Sequence, residues 1–323
     1  MRPGRGGAAA HPLPVYGGAV SLRVRQNHDR RETAPADRLA ALDAALPDID
    51  WRALPPGTER FSYRAPSGDL AAIALGPLTA PRVVLVPGVT GSKEDFVLLA
   101  PLLAAAGYRV ESYDLAGQYE SAAAAPADGE PYGYDLFVAD LIAVLQVGDS
   151  PVHVLGYSFA GLVAQLALAT RPDLFASLTL LATPPRAGQT FRGVRWLGPF
   201  SVLVPAHTIA SLMVWGIVTN RNHTTPGRLA LARERFDFTS RPSVDRIMAL
   251  MKNTPDVHGA LAGSAAPVLI AVGERDLWRV RQHRRFADRI GAELRVYPTG
   301  HSPCETTPYQ LSRDLLALYA RGR

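Results

Sequence analysis

The chain has 323 residues, 47% of them hydrophobic, and a formal net charge of +5. That length suits one large domain carrying an insertion, or two domains, built on a substantial core. Arginine carries nearly all the positive charge and most of the excess lies in the first stretch of chain, so the remainder offers no basic stripe and nucleic acid is excluded as an expected partner.

Residues 1–35 are rich in Gly, Ala, Pro and Arg without periodicity and read as a flexible basic tail. No continuous apolar run follows its arginines, so no signal peptide is expected. Leu39, Leu42 and Leu46 stand at helical spacing. Glu59–Arg64 and Leu70–Leu75, parted by Pro66-Ser67-Gly68-Asp69, read as a hairpin. An alternation of strands and helices follows. Strands are expected at Arg82–Val86, Tyr108–Tyr113, Val152–Gly156 and Leu178–Leu181, with helices over Glu94–Ala106, Tyr134–Val147 and Phe159–Thr170. Strands that are apolar along their whole length indicate a mostly parallel, doubly wound sheet covered on both faces.

The alternation breaks at Thr183-Pro184-Pro185 and resumes with a strand ending at Val272. A helix over Trp278–Ile290, a strand Glu293–Tyr297 and a helix Pro308–Arg321 complete it. The fold class is therefore α/β, with a core of 36–184 and 266–323 and a helical insertion of 185–265. Within the insertion, 201–220 carries no formal charge and is long enough to span a bilayer. Pro205, His207, Thr208, Ser211 and Thr219 are too polar for lipid exposure, so no stable membrane span is expected.

Gly156-Tyr157-Ser158-Phe159-Ala160-Gly161 joins an apolar strand to an apolar helix. A serine at such a corner, with small residues two positions to either side, is a nucleophile-elbow pattern. A serine hydroxyl needs a base, commonly histidine, and the base needs a carboxylate to hold its tautomer. In an open α/β sheet these groups belong just beyond the carboxyl ends of strands. Two such places carry them: Gly273-Glu274-Arg275-Asp276, and Gly300-His301. Asp276 is favoured over Glu274 as the acid because its longer loop reach suits a histidine on the next strand. No Asp or Glu occurs from Leu174 to Arg233, so the other common place for the acid is empty. An oxyanion hole needs two backbone N–H groups. Phe159 follows the nucleophile, and Val89 is chosen from the loop after the first parallel strand. Gly91-Ser92-Lys93 in that loop lacks the spacing of a phosphate loop.

With these motifs the chain resembles the α/β-hydrolase superfamily, in its serine-nucleophile branch. Pro87-Gly88-Val89-Thr90-Gly91-Ser92-Lys93-Glu94-Asp95-Phe96 is similar to the family's oxyanion loop, with Pro87 where histidine is common. Asp114-Leu115-Ala116-Gly117-Gln118-Tyr119-Glu120-Ser121 is similar to its Asp-x-x-Gly-x-Gly-x-Ser segment, with Tyr119 in the second glycine position. The resemblance implies a sheet of the α/β-hydrolase type and makes 185–265 a cap over the active site. Serine at 158 argues against the dehalogenase and epoxide hydrolase branches, which use aspartate there.

The expected function is hydrolysis of a carboxylic ester or related acyl bond of a lipophilic small molecule, with Ser158, His301 and Asp276 as the triad and no metal or cofactor. Thioester hydrolysis, C–C bond hydrolysis and cofactor-free perhydrolysis would use the same residues. A natural-product enzyme catalysing cyclisation, elimination or acyl transfer, and a non-enzymatic ligand-binding protein, are the other classes. Trp196, Met213 and Trp215 are candidates for substrate contact in the apolar part of the insertion. The insertion's arginines, among them Arg186, Arg192, Arg195, Arg228 and Arg233, read first as a solvated face and second as a site for an anionic group. Cys304, the one cysteine, lacks an elbow setting and reads as a bystander; it allows no internal disulfide and suits a reducing, cytoplasmic setting. The oligomeric state is left open.

Overall fold

The structure, a computed structural model, describes residues 35–321 apart from 129, 193, 196–204, 206, 209–210 and 212–224. The tail expected over 1–35 lies almost wholly outside them. Eight strands form one sheet: β1 (Glu59–Ala65), β2 (Gly68–Leu75), β3 (Arg82–Val86), β4 (Arg109–Tyr113), β5 (Val152–Tyr157), β6 (Phe175–Leu181), β7 (Val268–Gly273) and β8 (Glu293–Tyr297). Their order is β1-β2-β4-β3-β5-β6-β7-β8. The β1–β2 and β2–β4 pairs are antiparallel. All other pairs are parallel.

Strands β3 to β6 are buried at every position, which requires cover on both faces. Side chains alternate between two cores because successive residues of a strand point to opposite faces. Val84, Val86, Val154, Leu178 and Ile270 face one core, filled by α3 (Tyr134–Leu145), α4 (Phe159–Thr170) and α8 (Val280–Ile290). Val83, Leu85, Leu155, Leu181 and Leu269 face the other, filled by α2 (Ala100–Ala105) and α10 (Pro308–Tyr319). The helix α1 (Pro35–Ala44) is tied to α10 by Asp43, whose carboxylate accepts from the N–H groups of Tyr309 and Gln310 at 2.9 and 3.2 Å.

The helix expected over Glu94–Ala106 is in fact two pieces, a 3-10 turn at Lys93–Phe96 and then α2. Pro101 is the reason: inside a continuous helix its missing N–H would break a hydrogen bond and its ring would press on the carbonyl four residues back, whereas in the first turn of α2 no such bond is made and no such carbonyl is there. A short helix at Pro303–Thr306, α9, directly after His301, was not expected from the sequence.

Between β6 and β7 the chain leaves the sheet and forms α5 (Pro226–Phe238), α6 (Arg241–Leu250) and α7 (His258–Ala262). Gly227 N–H donates to Asp48 at 3.0 Å. Ser240 N–H donates to the Gly117 carbonyl at 2.8 Å. Trp51, Val97, Tyr119 and Leu231 form a small apolar cluster under α5. Among the described residues no helix is long and apolar enough to cross a membrane, and most of 201–220 lies outside them.

Candidate active site

Ser158 stands at the corner between β5 and α4 with φ 53° and ψ −116°. This is a sparsely populated region for a non-glycine residue, typically costing about 1–3 kcal/mol. The corner is held from both sides: Ser158 N–H donates to Leu181 O at 2.8 Å, and Gly161 N–H donates to Ser158 O at 3.1 Å. Gly156 is required by close approach, since a Cβ there would lie 2.6 Å from the Ala160 carbonyl oxygen. The reward for the strain is position, because the side chain sits beyond the end of β5 and at the N-terminus of α4.

His301, in the loop after β8, places Nε2 3.3 Å from Ser158 Oγ. Its Nδ1–H donates to Asp276 Oδ1 at 2.5 Å. This tautomer leaves Nε2 free to accept from the serine hydroxyl. Tyr157 and Trp278 flank the imidazole, with ring centroids 5.4 and 6.0 Å from it. Tyr157 is fixed by a 2.8 Å hydrogen bond between its hydroxyl and Ser302, and Trp278 by donation of Nε1–H to Thr190 O at 3.0 Å.

Asp276, after β7, is fully buried. Burial alone would raise its carboxyl; the charge and hydrogen bond of His301, with the His283 imidazole close by, outweigh that and hold it down at about 2. The Leu277 N–H also donates to its Oδ1 at 2.6 Å. Glu274, the rival acid, is exposed, and among the described residues its side chain makes no hydrogen bond or ion pair with His301. Asp276→Asn is therefore expected to lower turnover by roughly 10³- to 10⁴-fold, because the amide can no longer hold the productive tautomer. Glu274→Gln should leave kcat unchanged. Steady-state kinetics on a p-nitrophenyl ester checks both, and the reverse ranking would move the acid to Glu274.

The loop after β3 lies against Ser158. A Cβ on Gly88 would stand 3.1 Å from Ser158 Cβ and 3.8 Å from its Oγ. The loop consumes most of its own donors. Thr90 N–H goes to Gln118 Oε1 at 2.9 Å, Gly91 N–H to Gly88 O at 3.0 Å, Ser92 N–H to Asp95 at 3.4 Å, and Lys93 N–H to Asp114 at 2.7 Å. Among the described residues the Val89 N–H has no intramolecular acceptor. Phe159 is the first residue of α4, so its N–H has no partner inside the helix. Gln118, which pins Thr90, donates in turn to Ser243 of α6 at 2.7 Å.

A buried ionic group fastens this loop to the core. Lys93 Nζ lies 2.9 Å from Asp114, 2.7 Å from Glu120 and 3.1 Å from Glu94. Burial and the nearby Glu94 charge push the Asp114 carboxyl up to about 7, against the pull of Lys93. Because this folded value lies above the unfolded 3.8, the carboxyl's contribution to stability is complete below the unfolded value and is lost as pH rises through the folded one. Between about pH 5 and 7, wild type should lose stability faster than Asp114→Asn, by about 1 kcal/mol per pH unit. Denaturant melts across that range test this, and parallel slopes would refute it.

A second buried group joins the insertion to the segments after β3 and β8. Arg228 of α5 donates to Glu305 at 2.6 and 3.0 Å and to Asp95 at 2.8 Å. Arg235, on the same face of α5, donates to Asp95 at 2.5 Å and to Ser92 Oγ at 3.1 Å. Burial works against ionisation of Asp95, yet Arg228 and Arg235 hold its carboxyl below the usual range. Arg228 also lies 5.1 Å over the Trp51 ring. The solvated-face reading thus fails for Arg228, whereas Arg186, Arg192, Arg195 and Arg233 are exposed as expected.

The structure therefore brings Ser158, His301 and Asp276 into one line, with Val89 and Phe159 beside it. Trp196, Met213 and Trp215 lie outside the described residues. Cys304 is fully buried and burial pushes its thiol up, which suits a bystander. His153 is a core residue, stacked on Tyr319 at 4.2 Å and bonded to Ser177 at 2.8 Å. The sequence reading missed Gln118, Arg235 and His283. Arg228 and Arg235 stand two helical turns apart, and His283 falls on the apolar stripe of Phe286, Ala287 and Ile290, so both signals were available.

Comparison with known proteins agrees with this geometry. Residues 83–313 match the Alpha/beta hydrolase family, and the chain belongs to that family. The human Serine hydrolase-like protein is 32% identical over 133 residues, covering 41% of this chain and 64% of that protein. Lipase LipV of Mycobacterium tuberculosis is 38% identical over 114 residues, covering 35% of this chain and 41% of LipV. The chain thus matches less than two thirds of the length of either relative. Among solved structures, the enol-lactonase from Burkholderia xenovorans LB400 superposes with a TM-score of 0.67 at 18% identity, over 80% of this chain and all of that one. That likeness concerns the fold alone.

Proposed function

We propose that this chain is a serine hydrolase that cleaves a carboxylic ester of a lipophilic small molecule through an acyl-enzyme. The single observation that carries the reading is the line Ser158–His301–Asp276, spaced 3.3 and 2.5 Å, at the ends of β5, β8 and β7. As Ser158 Oγ bonds to the ester carbonyl carbon, His301 Nε2 takes its proton and the carbonyl electron pair moves onto oxygen. The N–H groups of Val89 and Phe159 face that oxyanion. Collapse expels the alkoxide, which takes the proton from His301. Water then attacks the acyl-enzyme, giving a proton to His301, and the acid leaves as Ser158 regains its hydrogen. Asp276 orients His301 and stabilises its imidazolium throughout.

The insertion 185–265 serves as a cap in this reading, with α5 and α6 as its fixed base. Its apolar composition supports a lipophilic substrate, as does the similarity to a lipase. The single cysteine suits a cytoplasmic enzyme. The decisive test is labelling by a fluorophosphonate probe, followed by p-nitrophenyl esters and acyl thioesters of graded chain length. Wild type should be labelled and Ser158→Ala should not; equal labelling would remove Ser158 as nucleophile. Faster turnover of thioesters than of matched esters would reassign the substrate class.

A further inference from the structure

The catalytic carboxylate has a second histidine on its far side. Asp276 Oδ1 accepts from His301 Nδ1 and Leu277 N–H, at 2.5 and 2.6 Å. Among the described residues no hydrogen-bond donor closes on Oδ2, which is buried and faces His283 Nε2 at 3.4 Å, with both side chains fully shielded from solvent. A buried carboxylate oxygen left without a donor is expensive. The carboxylate is acceptor-only, so a facing imidazole nitrogen is compatible only when it carries a proton. The other ring nitrogen settles which form His283 takes. Its Nδ1 is equally buried and has no partner among the described residues. A neutral ring with the proton on Nε2 leaves Nδ1 bare and strands no donor. An imidazolium would bury an unanswered Nδ1–H among the apolar residues of α8. It would also set a second positive charge on the carboxylate that His301 needs.

Resting on the triad reading above, we propose that His283 is a positioning residue: as the neutral Nε2–H tautomer it donates to Asp276 Oδ2 and stops the carboxylate from rotating away from His301. Its place in the fold supports this. His283 lies on the buried stripe of α8 with Phe286, Ala287 and Ile290, where a leucine would serve packing equally well. The first turn of α8 is tied down by the Arg279 N–H, which donates to Gln282 Oε1 at 3.1 Å. With both oxygens held, the Asp276 plane is set independently of whether His301 is engaged with Ser158. Catalytic hydrogen bonds are often long or poorly aligned in the resting enzyme and tighten when substrate binds.

The test compares His283→Leu, which keeps the volume, with His283→Gln, which offers an amide N–H near the place of Nε2. His283→Phe stands in should the leucine variant not fold. Hydrolysis of p-nitrophenyl butyrate is measured per active site titrated by the fluorophosphonate, with Asp276→Asn alongside. The leucine variant should lose about 10- to 100-fold in kcat, with KM essentially unchanged, because a misaligned base slows acylation without altering binding. The glutamine variant should recover most of that loss. The fluorophosphonate inactivation rate should fall in parallel with kcat. Wild-type kcat in the leucine variant, or equal losses in the leucine and glutamine variants, would overturn the role. If Asp276→Asn itself leaves kcat unchanged, the triad reading falls and this proposal with it. A normal Asp276→Asn defect with an active leucine variant removes His283 alone.

Discussion

Ser158→Ala should lower ester turnover by roughly 10⁴- to 10⁶-fold while the protein remains folded. The size of the loss follows from what the hydroxyl does in the proposed reaction. Without Oγ there is no acyl-enzyme, and His301 can only activate water at a place shaped for a serine. The oxyanion donors and substrate binding would sustain a residual rate. Folding should survive because the corner is held by backbone bonds, Ser158 N–H to Leu181 O and Gly161 N–H to Ser158 O, that alanine retains. Circular dichroism should be unchanged and fluorophosphonate labelling abolished. A variant keeping more than about a hundredth of wild-type kcat would mean that the hydroxyl is not the attacking group.

Arg228→Ala carries the largest expected effect on stability. Arg228 is the shared partner of Glu305 and Asp95, and all three side chains are nearly shielded from water. Removing one partner of a buried ionic group leaves the others uncompensated, at a cost of about 3–5 kcal/mol. Asp95 would keep Arg235, whereas among the described residues Glu305 has no other cation in contact. Burial already raises the Glu305 carboxyl above its ordinary range, and without Arg228 its charge would stand uncompensated. The loss is therefore expected to shrink in Arg228→Met with Glu305→Gln, which removes the stranded charge and keeps the volume. Denaturant melts of the two single variants and the double variant measure the coupling. Additive single losses would show that Arg228 and Glu305 are not coupled and that the arginine acts through Asp95 and Trp51 instead. Because Glu305 lies in α9, immediately after the His301 loop, and Asp95 lies in the segment that resembles the oxyanion loop, the same variant should also lower kcat.

Much of this was legible along the chain. The apolar strands, the small residues around Ser158 and the positions of Asp276 and His301 after successive strands are local patterns, each with a steric or solvation cause that acts over a few residues. The failures share a different cause. Glu94–Ala106 has helical composition, but Pro101 and the demand of two arginines of the insertion on Asp95 split it. Arg228 reads as a solvated charge until a buried acid from each of two distant segments is brought against it. His283 reads as one more histidine until α8 folds over the end of β7.

What the sequence by itself determined is the class of sheet, and it placed Ser158, Asp276 and His301 in order at the ends of strands as the proposed catalytic groups. Strand burial and the elbow's strain are written in short stretches of side-chain size and polarity. Only the tertiary structure decided how those groups are held. Asp276 rather than Glu274 meets His301, the Val89 N–H has no acceptor among the described residues while those of its neighbours are engaged, and one helix of the insertion is bolted to the segments after β3 and β8. Each of these depends on desolvation and hydrogen-bond geometry between segments far apart in the chain, quantities that no local pattern contains.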